Sequence, residues 1–263
     1  MLNRTTLLGA VGAAALTAIP YTSAMAAPPM GFAGTFSGEY SNLSCNGCSN
    51  ANVWGGNAAG AFGFGGAPVG AEVAGGYHNL SGSGTSADIW NIGGSVFWAP
   101  DFGRVGGTVN YSSLSESGLD LSLTNYGGFG EFFAGNFLTL GVKGGGVSAG
   151  GDASGTGYYV GGAVTGYVLP NLALMGNIDY LHDDSGAHIT TYGVTAEFQV
   201  SVQVPISIYG GYANNQISGL PHIDQWTIGV RFYLSPNPMT LVEHHRSGTL
   251  GWLSQSNIIG AAF

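Results

Sequence analysis

Hydrophobic and polar residues alternate along most of this chain with a period of two. Near the C-terminus Trp226, Ile228, Val230, Phe232 and Leu234 share one face, while Gln225, Thr227, Gly229, Arg231 and Tyr233 share the other. The same alternation sets Tyr192, Val194, Ala196, Phe198 and Val200 against Thr191, Gly193, Thr195, Glu197 and Gln199. It also sets Val69, Ala71, Val73 and Tyr77 against Glu72 and His78. Successive side chains of a strand point to opposite faces, whereas a helix repeats every 3.6 residues, so the pattern predicts strands. Twelve are expected, at 31–41, 52–64, 68–80, 86–98, 102–113, 119–133, 136–148, 156–168, 171–181, 187–199, 205–214 and 222–234.

The connections between them predict an up-and-down order. Gly65-Gly66-Ala67-Pro68, Ala99-Pro100-Asp101, Ala134-Gly135-Asn136, Leu169-Pro170-Asn171 and 200–205 read as tight turns, with Pro and Asn supplying the geometry. Between them lie longer polar loops at 42–51, 81–85, 114–118, 149–155, 182–186 and 215–221. Short and long connections therefore alternate, and an even number of strands puts both termini at the short-turn end.

Composition decides what such a sheet faces. Only 7% of the 263 residues are charged, 44% are hydrophobic, 12% are aromatic and 48 are glycine. A half-buried sheet in water would carry many more charges on its polar face. The net charge of −9 and the five Lys plus Arg exclude a phosphate-binding surface for nucleic acid. The first 26 residues carry a basic start at Arg4, an apolar run from Leu7 to Ile19 and the A-x-A site Ala24-Met25-Ala26, the three parts of a secretory signal peptide. Helices are disfavoured by the glycine density. An exported, charge-poor chain of alternating strands is expected to be all-β: a transmembrane antiparallel barrel of twelve strands over 27–234 with both termini periplasmic. Residues 235–263 remain as a C-terminal periplasmic tail.

Aromatic spacing agrees. Trp90 and Trp98, and likewise Phe32 and Tyr40, lie eight residues apart on one face. At ~3.3 Å per residue and a tilt of roughly 40°, that spans about 20 Å of membrane, near the apolar band between two aromatic girdles. The segment Thr227-Ile228-Gly229-Val230-Arg231-Phe232-Tyr233-Leu234 resembles the barrel-assembly signal of last strands, carried by Thr227, Gly229, Phe232 and Leu234. Tyr167-Val168-Leu169-Pro170-Asn171-Leu172-Ala173-Leu174 and Trp98-Ala99-Pro100-Asp101-Phe102 resemble periplasmic hairpins. The chain thus resembles Gram-negative outer-membrane β-barrels of the porin-like class. The resemblance implies location in the outer membrane, contact with its lipid and insertion by the barrel-assembly machinery. It departs from that pattern in the 29 residues that follow the last strand, where Phe263 could imitate the terminal aromatic.

Candidate chemistry is sparse. Cys45-Asn46-Gly47-Cys48 is expected to close a surface disulfide in an oxidising compartment, because no helix lowers a thiol pKa and no further zinc ligands match its spacing. His182-Asp183-Asp184 with His188 is the best catalytic candidate, set against a plain solvated loop. His78 with Ser81, and His244-His245, are weaker still, so neither an enzyme nor a metal or cofactor site is expected. The inferred lumen lining is Glu39, Glu72, Arg104, Lys143, Glu197 and Arg231 among many small residues, with no loop long enough to plug it. The leading expectation is a narrow porin-like channel for passive diffusion of small hydrophilic solutes or ions. Glu116, Asp152, Asp183 and Asp184 in the loops suggest modest cation selectivity. The alternative is a closed structural or surface-interaction barrel, with a membrane hydrolase behind both.

Overall fold

The structure is a computed structural model that describes residues 31–46, 49–64, 67–82, 85–116, 118–152, 154–235 and 237–247. The 1–26 leader, Cys48 and Phe263 lie outside the described residues. Twelve strands form: β1 (Phe32–Cys45), β2 (Ala51–Gly63), β3 (Val69–Gly82), β4 (Thr85–Trp98), β5 (Gly103–Glu116) and β6 (Leu119–Ala134). They continue as β7 (Leu138–Gly151), β8 (Gly155–Leu169), β9 (Leu172–Asp183), β10 (His188–Ser201), β11 (Val204–Ile217) and β12 (Ile223–Leu234). Each strand pairs antiparallel with its sequence neighbours, and β1 closes on β12 from Gly34↔Leu234 to Cys45↔Ile223. Closure leaves no unpaired edge, the condition for sheet structure in lipid. All twelve expected strands and their up-and-down order are present.

Two expectations about the chain's path are corrected. The connections at the end opposite the termini, here the loop end, are not long. Strands run on into the expected loops and leave only short links such as 117–118 and 184–187, comparable with 135–137 and 202–203 at the turn end. Gly118 sits in the left-handed region at φ +86°, which lets the chain reverse within two residues. Helix, disfavoured by the glycine density, nevertheless forms in the tail as α1 (Leu241–Ser247). Thr240 and Glu243 cap this helix reciprocally, the Thr240 N–H and hydroxyl donating to Glu243 Oε2 at 2.7 and 2.9 Å and the Glu243 N–H donating to Thr240 Oγ1 at 3.3 Å.

The alternation holds on every strand, but its polarity inverts partway along. From the turn end to a ring of outward aromatics, the outer face is apolar, with Val96 and Val142 65% and 63% exposed. Tyr40, Trp54, Tyr77, Trp90, Tyr111, Tyr126, Tyr158, Tyr180, Tyr192, Tyr212 and Trp226 form that ring. Past it the outward residues turn polar, as in Asn42, Asn79, Asp88, Ser113, Thr190, Asn214 and Asp224. The inward residues there turn aliphatic and pack together: Leu43, Val53, Leu80, Ile89, Leu114, Leu123, Val147, Leu181, Ile189, Ile217 and Ile223 are at most 5% exposed. A strand leaving lipid for water must reverse which face is apolar, so the ring marks the lipid boundary. The five residues from Tyr40 to Cys45 carry the wall about 12 Å further at ~3.3 Å per residue and a tilt of roughly 40°. The expectation that polar loops begin near this level is corrected: over this last stretch the strands continue as a water-facing cap with its own core.

Candidate functional site: the barrel lumen

Below the cap the lumen is polar, and its chemistry follows from where glycine falls in the ladder. Lys143, Gly161 and Asp179 occupy one row across β7, β8 and β9. With no side chain on the central strand, Lys143 Nζ reaches Asp179 Oδ1 at 3.0 Å. A Cβ at Gly161 would lie 2.1 Å from that same oxygen. A second row runs Tyr209–Gly229–Glu39–Gly55–His78 across β11, β12, β1, β2 and β3. Over its two glycines Glu39 accepts from the Tyr209 hydroxyl at 2.8 Å and meets His78 Nε2 at 2.9 Å. Inward glycines therefore act as floors on which side chains of the flanking strands lie down and meet.

The turn end holds the densest charge. Glu197 accepts from the Ser207 hydroxyl, the Arg231 guanidinium and, at 2.5 Å, the Tyr233 hydroxyl. Arg231 also lies over the Tyr209 ring, 4.7 Å from its centroid. Arg104 and Glu131 are direct cross-strand partners joined through Nε and Nη2 at 2.9 and 2.7 Å, with Arg104 stacked on Phe97. These pairs are almost fully removed from solvent, where a charge without a partner would cost several kcal/mol.

The tail closes this end. His245 Nε2 lies 3.4 Å from Glu197 Oε2, and His244 stacks on Tyr233 at 4.2 Å between centroids. Arg246 donates to the carbonyls of Gly135 and Leu138 and to the Thr139 hydroxyl, beneath the rings of Phe133 and Tyr167. Leu241 and Val242 pack with Tyr167, Ala173 and Tyr233. Burial, reinforced by neighbouring His245, pushes His244 down to about 4.

Between helix and cap lies a layer of amides on the inward face: Asn57, Asn91, Asn110 and Asn125. Asn57 and Asn91 flank Gly76 in one row, and their buried amide groups have no hydrogen-bond partner among the described residues. The Oδ1 atoms of Asn110 and Asn125 are likewise unpaired there.

Of the six side chains inferred to line the lumen, all point inward, and Glu39, Arg104, Lys143, Glu197 and Arg231 make the contacts above. Glu72 is buried on the inward face of β3. Sequence reasoning put His78 and Tyr233 on the polar face but paired neither with these charges, and it did not find Glu131, Asp179, Tyr209 or the helix in the tail as their partners. The open, unplugged lumen expected from small lining residues is corrected: aliphatic side chains fill its loop end and α1 fills its turn end. Thr227 and Gly229 face inward and Phe232 and Leu234 outward on β12. Cys45 is in the disulfide-bonded form at the end of β1.

The loop-end candidates do not gather. His182 faces outward and Asp183 inward, and His78 and Ser81 likewise lie on opposite faces. His188 is the outward cross-strand neighbour of His182. The acidic residues are tied into turns: Asp183 accepts from the Ser185 N–H and hydroxyl at 2.8 and 2.9 Å, Asp184 from the Thr156 hydroxyl, and Asp152 from the Asp120 N–H at 2.8 Å. With the inner charges paired as well, the arrangement gives the expected cation preference no support.

A closed antiparallel barrel with a lipid-facing apolar band and an ion-paired lumen defines the class: the chain has the fold of the Gram-negative outer-membrane β-barrels, porin-like in architecture. Among solved structures it is similar to an outer membrane channel from Pseudomonas putida F1, at 12% identity and a TM-score of 0.59 over 80% of this chain and 98% of that one. It is also similar to the translocator domain of the autotransporter NalP from Neisseria meningitidis, at 15% identity and 0.52 over 77% and 88%. A KdgM porin in complex with disordered oligogalacturonate matches at 11% identity and 0.51 over 76% and 99%. No family model matches the chain, and no curated protein sequence matches it.

Proposed function

We propose that this protein is an outer-membrane channel for small hydrophilic solutes or ions whose resting state is closed, and that it is not an enzyme. The reading is carried by the amide layer. Each buried amide left without a partner costs about 1–3 kcal/mol, a cost that water in the lumen removes. The aliphatic cap then acts as a hydrophobic constriction of the kind that gates by dewetting. In this reading 1–26 is the export signal, the turn end faces the periplasm, and Thr227, Gly229, Phe232 and Leu234 serve the assembly machinery. Cys45 and Cys48 close a bridge at the first loop-end turn. The fold shared with porins and a channel supports the class without naming a solute.

A second reading, a barrel that never conducts, is favoured by the same cap, because opening it means separating a continuous aliphatic core. Planar-bilayer recording distinguishes the two. The channel reading expects discrete conductance steps between long silent intervals. Inserted protein that stays silent at every voltage would overturn it in favour of the closed barrel.

A further inference from the structure

We propose that the turn-end vestibule is a receptor for a guanidinium-bearing segment, occupied by the chain's own tail helix as a removable plug. The proposal rests on the closed-channel reading for its consequence but not for its test.

The tail is held by side chains rather than by strand pairing. Its main-chain links to the barrel include the Leu241 N–H donating to the Pro170 carbonyl at 3.0 Å and the Met239 carbonyl accepting from Gln199 Nε2 at 2.9 Å, and none of these described links is a strand pairing. A segment docked this way can leave without breaking the barrel's hydrogen-bond ladder. Its contacts nevertheless reach from the β6–β7 turn to β12, so it lies across the mouth rather than along one wall.

Arg246 is the key in this lock. Two backbone carbonyls and the Thr139 hydroxyl receive its N–H groups, and two aromatic faces, Phe133 and Tyr167, lie 5.0 and 5.5 Å from its carbon centre. Carbonyl acceptors arranged around a planar cation between aromatic faces select a guanidinium over an ammonium, which has neither the fork nor the flat face. The site is built, since Thr139 is 1% exposed and Arg246 4%. The vestibule offers a second, anionic anchor in Glu197, whose oxygen faces His245. Leu241 and Val242 supply the apolar contact between these two polar anchors.

The test uses the full chain and two readouts. Arg246→Lys keeps the charge and the trypsin site but loses the fork. In detergent-folded protein of this variant, cleavage after residue 246 is expected at least tenfold faster than in the wild type, with the barrel still showing heat-modifiable migration. Phe133→Leu, which leaves the tail intact, is expected to speed cleavage after Arg246 in the same direction. Opening is read separately by adding Thr165→Cys, on the inward face of β8 and fully buried, to a Cys45→Ser/Cys48→Ser background. Released tails should let a small charged thiol reagent reach residue 165 faster. An excess of acetylated, amidated peptide of residues 240–247 should slow that labelling again in the Arg246→Lys protein. An Arg246→Lys tail that stays protected in a folded barrel, or a peptide that does not slow labelling, would overturn the guanidinium site. Released tails without faster labelling at 165 would overturn the plug. Neither outcome depends on whether the barrel conducts.

Discussion

Glu197→Gln is the sharpest perturbation of the lumen. In the native barrel one oxygen of Glu197 accepts from Ser207 and Tyr233, while the other faces Arg231 and His245. Glutamine keeps one acceptor but turns the other position into an NH₂ group aimed at the Arg231 guanidinium. Arg231 is 5% exposed and would be left with the Tyr209 ring, the Tyr233 hydroxyl and the field of Glu39, so its charge would lose its direct ion-pair partner away from water. Breaking a buried pair from one side costs about 3–5 kcal/mol. Reversible urea unfolding in lipid vesicles, followed by tryptophan fluorescence, measures this directly. The double variant Glu197→Gln/Arg231→Met removes the stranded charge and should recover most of the loss, giving a coupling of about 2 kcal/mol or more. A single-variant cost below about 1 kcal/mol, or strictly additive losses in the double, would refute the view that Glu197 is the counter-charge that holds the turn end together.

Two further outcomes follow from the layers on either side. Leu114→Ala in the cap, where Leu114 is 1% exposed, should cost about 2–5 kcal/mol in the same unfolding assay and raise open probability in bilayers; a cost under about 1 kcal/mol would mean the cap is not a packed core. Acid should loosen the tail. His244 binds a proton less readily when docked, so docking is at full strength above its ordinary pKa of 6.5 and weakens as pH falls from there toward about 4. The upper limit is ~1.4 kcal/mol per pH unit. The groups around His244 are Tyr233, His245, Glu197 and Glu243, and the two carboxylates favour its charged form against the burial that disfavours it, so the net effect should be smaller. Hydrogen exchange in 240–247, corrected for intrinsic rates, should show protection falling as pH drops from 6.5 toward 4; rising protection would contradict the assignment.

The barrel was legible because its governing signal is local. Period-two alternation between outward Trp226–Leu234 residues and inward Gln225–Tyr233 residues needs no partner to be read, and turn residues such as Pro170 and Asn171 fix where each strand stops. The cap was misread for a physical reason. At Asn42-Leu43-Ser44 or Ser113-Leu114-Ser115 the strand continues but the apolar side changes, so polar outward residues look like loop. The signal was an aliphatic residue one or three positions toward the loop end from most ring aromatics, as in Tyr180-Leu181 and Tyr111-Ser112-Ser113-Leu114. Lumen partners were hidden because they depend on register: Lys143 and Asp179 become neighbours only when Gly161 falls between them. The tail helix did leave a local trace, the Thr240-x-x-Glu243 capping box just after Pro238.

Whether the middle of the lumen is wet is the question on which the closed-channel account turns. A single cysteine at Asn91, in the amide layer and free of Cys45 and Cys48, can be exposed in vesicles to a small membrane-impermeant thiol reagent. The account predicts slow but complete modification in the full-length protein, accelerated when Arg246 is changed to Lys. No modification in either protein, with the barrel folded, would mean a dry interior and a barrel that does not conduct.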